Sequence, residues 1–175
     1  MNEIGTMFLE LLDGLLHIHR CQWIHRDIRP ENIIFLRTPK RLMWIDFGLS
    51  AKMSEAHSEE FVGFPKFASD EHLEKLNTAN ASFEWNAETD LQSFAKVFMY
   101  FYYLGANTLE KKVDDAYFKY AQYLNNTDDE GRNKRREFLE AWVDIYRSYL
   151  RQDSLQTLPT CNERFIRKVI LDRYK

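Results

Sequence analysis

Cysteine is nearly absent from this sequence, which has only Cys21 and Cys161 among its 175 residues. Two cysteines cannot form the disulfide framework of a small secreted domain, so we predict a reducing, cytoplasmic setting. Proline and glycine are also few, with four and six copies, and no low-complexity linker or internal repeat divides the chain. This favours a single domain over residues 1–175.

The sequence has no hydrophobic run long enough to span a bilayer. Its most apolar stretch, residues 94–104 (FAKVFMYFYYL), is too short and contains Lys96, which favours a helix buried inside the domain. Glu3, Glu10 and Asp13 lie among the first apolar residues, a pattern that is not typical of a signal peptide. The formal net charge of −3 gives no reason to expect nucleic acid or a membrane as a partner.

What the sequence does contain is apolar and aromatic residues, 45% and 15% of the chain, which is typical of a globular fold. Apolar residues recur at helical spacing over residues 3–20 and predict an amphipathic helix. Two short β-prone runs, 33–36 and 42–45, flank a polar stretch with Pro39 and predict a β-hairpin. The predicted fold class is therefore mainly α with a small β-hairpin.

Regular structure is harder to predict outside these elements. Residues 46–71 have no clear period and favour an extended loop. Asp90 is expected to begin the buried helix, and Gly105 is expected to end it. The remaining predicted elements are a short strand at Trp23-Ile24 and helices over about 108–125, 132–150 and 162–173.

Three polar residues flank the predicted hairpin, because Asp27 and Asn32 precede its first strand and Asp46 follows its second. A hairpin brings both of its ends to one edge, so these side chains can lie together. An aspartate and an asparagine suit Mg²⁺, which prefers oxygen ligands and takes others from phosphate groups. Asp27 could accept a hydroxyl proton, and Arg29 could bind a transferring phosphoryl group. The pattern indicates a site for phosphoryl transfer from a nucleoside triphosphate.

Two motifs in this region resemble those of the eukaryotic protein kinases. HRDIRPEN, residues 25–32, is similar to the catalytic loop of that family, and DFG, residues 46–48, is similar to its metal-binding motif. Both motifs occur in the family's order around a predicted hairpin. The resemblance implies a protein kinase that uses ATP and Mg²⁺ and acts on a protein substrate.

The resemblance continues in residues 63–71, GFPKFASDE, which are similar to the family's substrate-binding loop. The usual Ala-Pro-Glu triplet is replaced there by SDE, so only Glu71 is retained. The AS dipeptide in this stretch and the later TDLQSFAKVFMYF resemble the casein kinase 1 group. The likeness covers about residues 3–104, and no family motif is legible in the helices beyond.

The resemblance implies roles for the residues that carry the chemistry. Asp27 would orient or deprotonate the substrate hydroxyl, and Arg29 stands where serine/threonine kinases usually carry a lysine. Asn32 and Asp46 would hold the metal ions, and Ile34 would lie beneath the adenine ring. These five residues are the candidate catalytic, metal-binding and nucleotide-binding set.

The resemblance also implies structural and regulatory roles. His25 and Phe47 would stack in the internal spine that couples the two kinase lobes, and Asp90 would hold the catalytic loop from below. Gly48 ends the DFG motif, and Glu71 ends the SDE triplet, in the segment that follows the hairpin. Arg26 suggests control by a phosphate on the segment after the hairpin. The serines that could carry this phosphate are Ser50, Ser54 and Ser58, although plain loop serines are the favoured interpretation.

Several parts of a kinase have no counterpart in these 175 residues. No G-x-G-x-x-G phosphate cover and no V-A-I-K-like strand lysine occurs, so a C-terminal catalytic lobe lacking the β-rich N-terminal lobe is expected. Such a truncated chain would bind ATP weakly on its own, and a separate N-terminal lobe or partner would cover its exposed upper surface. Phe64 also stands where serine/threonine kinases usually carry a threonine that bonds the catalytic aspartate and lysine.

Three functions stay open at this point. The first is a kinase lobe that phosphorylates serine or threonine, and the second is a pseudokinase-like, non-catalytic interaction module. The third is a small-molecule phosphotransferase of the aminoglycoside or choline kinase type, which HRD together with DFG argues against. His17 and His19 are interpreted as helix-end residues, and RNKRR at 132–136 as a solvated helix face rather than a targeting signal.

Overall fold

The computed structural model describes residues 2–76, 78, 81–102, 109–123, 128–152 and 162–174, and it confirms a mainly helical fold with a small β-hairpin. Within these residues the helices are α1 (Glu3–Arg20), α2 (Asp70–Lys75), α3 (Ala87–Tyr102), α4 (Leu109–Ala121), α5 (Asp129–Gln152) and α6 (Glu163–Arg173). The strands are β1 (Trp23–Ile24), β2 (Ile33–Arg37), β3 (Lys40–Trp44), β4 (Ala51–Lys52), β5 (His57–Ser58) and β6 (Phe83–Glu84).

Helix α1 begins where its pattern predicts because Asn2 caps it. The side-chain oxygen of Asn2 accepts a hydrogen bond from the N–H of Gly5 at 3.0 Å. The apolar face of α1 is buried in the main core. The indole Nε1 of Trp44 donates to the carbonyl oxygen of Leu11 at 2.9 Å, so the end of β3 is tied to this helix.

The predicted hairpin is formed by β2 and β3, which pair antiparallel from Ile33 opposite Trp44 to Arg37 opposite Lys40. Its second strand begins at Lys40, two residues earlier than the apolar run indicated. Exposed polar residues can join a ladder through their backbone groups, and hydrophobic patterning does not reveal them. The hairpin therefore brings Asn32 and Asp46 to the same end of β2 and β3.

Helix α3 corrects a predicted boundary, because it begins at Ala87 rather than at Asp90. Asn86 and Thr89 cap it reciprocally: Asn86 Oδ1 accepts from the N–H of Thr89 at 3.0 Å, and Thr89 Oγ1 accepts from the N–H of Asn86 at 3.1 Å. Asp90 therefore lies inside the first turn of α3. The predicted end at Gly105 lies outside the described residues.

Segment 46–71 corrects a second prediction, because it is not a plain extended loop. Strand β4 pairs with β1, and β5 pairs with β6. Helix α2 begins at Asp70, and its N-terminus is capped by Ser69 Oγ, which accepts from the N–H of His72 at 3.2 Å. Strand β1 was predicted from its two β-prone residues, but β4, β5 and β6 are two residues long and too short to show an alternating pattern, so they were not predicted.

The short strands enclose a second hydrophobic cluster beside the main core. Its buried members are Ile24, Ala56, Phe83 and Trp85. This cluster joins segment 46–71 to the stretch just before α3. The main core lies between α1, α3 and the hairpin, and α6 adds Ile166 and Ile170 to it.

The later helices agree with their predictions except at their ends. Helix α4 ends at Ala121, and α5 begins at Asp129, three residues before the predicted start. The earlier start follows from Asp128, whose Oδ1 accepts from the N–H of Gly131 at 2.6 Å and caps the helix. No helix in the described ranges is both long enough and apolar enough to cross a membrane.

His72 on α2 lies in an aromatic environment. Its ring centroid is 4.8 Å from that of Trp85, 5.8 Å from Phe61 and 5.9 Å from Phe83. Its Nε2 lies 2.8 Å from the carbonyl oxygen of Glu84 and donates a hydrogen bond to it. The neutral ring therefore fits this site, and a charged ring would be poorly solvated there.

We expect the stability of the fold to fall as the pH is lowered from about 6.5, the ordinary pKa of histidine. Burial lowers the pKa of His72, and the hydrogen bond to Glu84 opposes that shift less strongly. The unfolded chain binds a proton that the folded chain resists, so the free energy of unfolding declines as the pH falls through the folded-state pKa. Urea unfolding at about pH 7.5 and pH 5.5 measures this decline.

The matched variant is His72→Gln, which keeps a donor for the Glu84 carbonyl and does not titrate. It should lose part of the decline in stability between the two pH values. The same decline in His72→Gln and in the parent chain would contradict the assignment to His72.

Candidate active site

The centre of the candidate site is the buried pair formed by Asp27 and Asn32. A 3₁₀ turn, Pro30–Asn32, returns the chain so that Asn32 faces Asp27. The side-chain Nδ2 of Asn32 donates to the carbonyl oxygen of Asp27 at 2.8 Å and to its Oδ2 at 2.7 Å. The first hydrogen bond fixes the backbone at Asp27 and the second fixes its carboxylate, with the Nδ2 side of the Asn32 amide facing Asp27.

Arg29 lies on the other side of the same carboxylate oxygen. Its Nε is 3.2 Å from Asp27 Oδ2, at ion-pair distance, but the N–H does not make a hydrogen bond with it. Asp27 Oδ1 has no hydrogen-bond donor among the residues that the structure describes. One oxygen of Asp27 is therefore held by the protein, and the other is available to a substrate.

The two candidate metal ligands, Asn32 and Asp46, are placed by the hairpin. The N–H of Ile45 donates to the carbonyl oxygen of Asn32 at 3.0 Å, so the chain leaving β3 is bound to the turn that carries Asn32. Asp46 follows with a left-handed backbone (φ 59°), and its Oδ1 accepts from the N–H of Gly48 at 3.2 Å. An amide and a carboxylate oxygen fit Mg²⁺, whose other ligands would come from phosphate and water.

Within the described parts of the chain, no cluster of three or more His, Cys, Asp or Glu side chains could hold a metal ion. The candidate magnesium site therefore depends on Asn32 and Asp46. Asn32 Oδ1 and Asp46 Oδ2 receive no hydrogen bond from any described residue. Both oxygens are consequently open to a cation.

Asp90 holds the backbone of the loop that contains Asp27. Its Oδ2 accepts from the N–H of His25 at 2.8 Å, and its Oδ1 accepts from the N–H of Arg26 at 3.1 Å. The ring Nε2 of His19 lies 3.0 Å from Asp90 Oδ2. Arg26 has a left-handed backbone (φ 68°), and Asp90 holds it in that unusual conformation.

His25, Trp44 and Phe47 form an aromatic group between the core and the surface. The ring of His25 is fully buried, with its centroid 5.0 Å from Phe47 and 5.6 Å from Trp44. Phe47 is 49% exposed. Ile34, the candidate adenine contact, is half-buried on β2 opposite Met43. The aromatic group therefore extends from the buried His25 to the exposed Phe47 at the surface beside the hairpin.

Arg26 contacts segment 46–71 directly, without a phosphate group between them. Its Nε donates to the carbonyl oxygen of Leu49 at 2.5 Å, and its guanidinium lies 5.4 Å from the ring centroid of Trp85. Ser50 Oγ lies 3.4 Å from the carbonyl oxygen of His25 and donates to it. Burial lowers the pKa of Arg26, and the charge of Asp90 opposes that shift. Control by a phosphate on this segment stays a prediction.

Sequence reasoning missed the packing role of Gly63, which lies against the loop that carries Arg26 and Asp27. Its φ is 106°, and a Cβ there would lie 2.3 Å from the carbonyl oxygen of Arg26 and 3.8 Å from Asp27 Oδ1. Only glycine allows both the backbone angle and the approach. The sequence signal for this contact was Gly63 itself, the first residue of the stretch that resembles the family's substrate-binding loop.

The end of segment 46–71 is anchored by Asp70, the residue before Glu71. Glu71 pairs with Lys75 at 2.7 Å on the exposed face of α2. Its neighbour Asp70 forms an ion pair at 2.8 Å with Lys96, whose side chain is 2% exposed and also donates to the carbonyl oxygen of Ala68 at 2.5 Å. The sequence signal for this buried ion pair was Lys96, a lysine within the most apolar stretch of the sequence.

A family model described as the protein kinase domain matches residues 1–160. The probable serine/threonine-protein kinase mkcF of Dictyostelium discoideum is 32% identical over 84 residues, 48% of this chain and 12% of mkcF. Serine/threonine-protein kinase sid1 of Schizosaccharomyces pombe is 32% identical over 90 residues, 49% of this chain and 19% of sid1. Serine/threonine-protein kinase PKH3 of Saccharomyces cerevisiae is 40% identical over 89 residues, 50% of this chain and 10% of PKH3. Each match thus spans less than a fifth of the relative.

Proposed function

This chain belongs to the protein kinase domain family, and we propose that it transfers the γ-phosphoryl group of Mg·ATP to a serine or threonine hydroxyl of a protein substrate. The similar proteins named above are serine/threonine-protein kinases, which supports this acceptor type. The observation that carries the proposal is the arrangement at Asp27. Asn32 and Arg29 both lie against Oδ2, whereas Oδ1 receives no hydrogen bond from any described residue.

Asp27 Oδ1 is positioned to accept the proton of an incoming hydroxyl. The hydroxyl oxygen bonds to the γ-phosphorus as the bond between that phosphorus and the β,γ-bridging oxygen breaks, and the proton passes to Asp27. Asn32 holds the carboxylate through Oδ2, so little reorientation is needed. Arg29 adds positive charge where negative charge develops on the transferring group.

The open oxygens of Asn32 and Asp46 would hold Mg²⁺. A bound magnesium ion neutralises the charge of the ATP phosphates. The hydrogen bond from Ile45 to Asn32 keeps the two ligand-bearing stretches together. Ile34, half-buried on β2, would support the adenine ring from below.

We further propose that a β-rich lobe of the family's kind, contributed from outside these 175 residues, completes the nucleotide site. Residues 1–175 contain no glycine-rich phosphate loop and no lysine in a V-A-I-K-like strand. Three large apolar side chains near the hairpin are exposed: Met43 at 38%, Ile45 at 39% and Phe47 at 49%. An apolar surface of this kind is typical of a contact site for another protein segment.

The first test measures Mg·ATP binding as a rise in the melting temperature of the purified 175-residue chain. Ligand at 100 times its dissociation constant would add about 2.7 kcal/mol to the free energy of unfolding. Asp46→Asn should abolish the rise, because the amide lacks the charge that binds magnesium. Glu31→Gln, at an exposed carboxylate beside Asn32, is the matched control and should keep it.

The second test follows transfer of labelled phosphate from Mg·ATP to peptides that contain serine, threonine or tyrosine. Asp27→Asn should lower turnover by about 100- to 10,000-fold, the usual contribution of a general base. Transfer to tyrosine alone would overturn the proposed acceptor type.

A pseudokinase-like interaction module is the second candidate function, and the exposed apolar surface beside the hairpin favours it. Mg·ATP binding without transfer to any peptide would support this function over the first. If the chain neither binds Mg·ATP nor transfers phosphate, even with an added β-rich kinase lobe, the interaction module would be the remaining candidate function.

A further inference from the structure

Arg29 lies between the carboxylate of Asp27 and the ring of Phe64. Its Nε is 3.2 Å from Asp27 Oδ2, and its guanidinium carbon is 5.2 Å from the ring centroid of Phe64. Its side chain is 29% exposed, and its Nε–H has no hydrogen-bond partner among the described residues. The orientation of the guanidinium therefore depends on the carboxylate and on the aromatic face.

Phe64 itself is held firmly enough to serve as a support. Its ring centroid is 5.1 Å from that of Tyr117 on α4 and 6.5 Å from that of Phe67. Its backbone leads into the 3₁₀ turn Pro65–Phe67 and follows Gly63, which abuts the catalytic loop. The ring is thus fixed from both α4 and the loop.

We propose that Phe64 is a positioning residue that holds the guanidinium of Arg29 beside Asp27 through a cation–π contact. The inference rests on the proposed phosphoryl transfer, in which Arg29 supplies charge at the reacting group. A planar guanidinium can lie on a ring while it pairs with a carboxylate, whereas a lysine ammonium is a point charge that does not stack in this way. Arginine at position 29 and phenylalanine at position 64 therefore suit each other.

The removal of the ring should weaken the hold on Arg29 without removing its charge. Phe64→Leu is expected to lower kcat by about 2- to 30-fold, the range that corresponds to a cation–π contact. The KM for ATP should stay nearly unchanged, because Phe64 acts through Arg29 and not on the nucleotide. Phe64→Tyr keeps an aromatic face and should restore kcat.

A spectroscopic test does not depend on activity. In ¹H–¹⁵N spectra, the Nε–H signal of Arg29, assigned by its loss in Arg29→Lys, should lie at a ring-current-shifted position. Phe64→Leu should move that signal toward the position of a free arginine, and Phe64→Tyr should leave it shifted. Phe64→Met is a second ringless variant of similar size in case Phe64→Leu does not fold.

The outcomes separate this inference from the proposed function. An unshifted Arg29 signal in the parent chain, or a signal that Phe64→Leu and Phe64→Met do not change, overturns the positioning role even if phosphate is transferred. The expected spectral changes in a chain that transfers no phosphate, even with an added β-rich kinase lobe, would support the contact and contradict the proposed function. Equal losses of kcat in Phe64→Leu and Phe64→Tyr would also overturn the inference.

Discussion

Asp90→Ala is expected to lower the free energy of unfolding by roughly 2–6 kcal/mol, because two backbone N–H groups lose their acceptor and each costs about 1–3 kcal/mol when buried without one. These are the N–H groups of His25 and Arg26, and the ring of His19 loses its partner as well. Urea unfolding followed by circular dichroism measures the change. The cost is large because Asp90 is only 2% exposed, so water cannot replace it.

Glu88→Ala is the matched control, since Glu88 also lies in the first turn of α3 but is exposed. It should change the free energy of unfolding by less than about 0.5 kcal/mol. Asp90→Asn should lower the free energy of unfolding by an amount between those of Asp90→Ala and Glu88→Ala, because its amide keeps one acceptor oxygen. Equal effects of Asp90→Ala and Glu88→Ala would show that Asp90 does not hold the loop.

Lys96→Met is expected to destabilise the fold by about 3 kcal/mol, the usual cost of breaking a buried ion pair by removing one of its two members. The loss would separate the end of segment 46–71 from α3, because Lys96 binds both Asp70 and the carbonyl oxygen of Ala68. Methionine has nearly the same length and keeps the apolar packing of the lysine chain, so the variant isolates the charge. Chemical unfolding of both proteins at one pH measures the difference.

The surface pair on α2 supplies the control for this prediction. Lys75→Met breaks the ion pair with Glu71 and should cost no more than about 0.5 kcal/mol, as exposed helix pairs do. Adding Asp70→Ala to Lys96→Met should cost less than the sum of the single changes, because both changes break the same ion pair. Additive effects would contradict direct coupling between Asp70 and Lys96.

Local signals in the sequence predicted the elements that depend on neighbouring residues. The helical spacing of residues 3–20 predicted α1, and two β-prone runs around Pro39 predicted the hairpin. The capping pairs Asn86 with Thr89 and Ser69 with His72 were also local, and they would have placed the starts of α3 and α2 correctly. Boundaries were wrong where those caps were overlooked.

The motif residues lie close together in the structure because their spacing in the sequence is short. The five-residue interval from Asp27 to Asn32 fits one tight turn, and the hairpin returns Asp46 to the same end. Their proposed roles in metal binding and proton transfer are still predictions. The family itself is established by the match over residues 1–160.

The sequence by itself determined the helices, the hairpin and the identity of the candidate site residues, since each depends on residues close together along the chain. Only the tertiary structure decided two of the contacts around them: Gly63 against Arg26, and Lys96 with Asp70. These partners are far apart in sequence. Such contacts form only when the core brings distant segments together, because the burial of α1 and α3 offsets the loss of chain entropy.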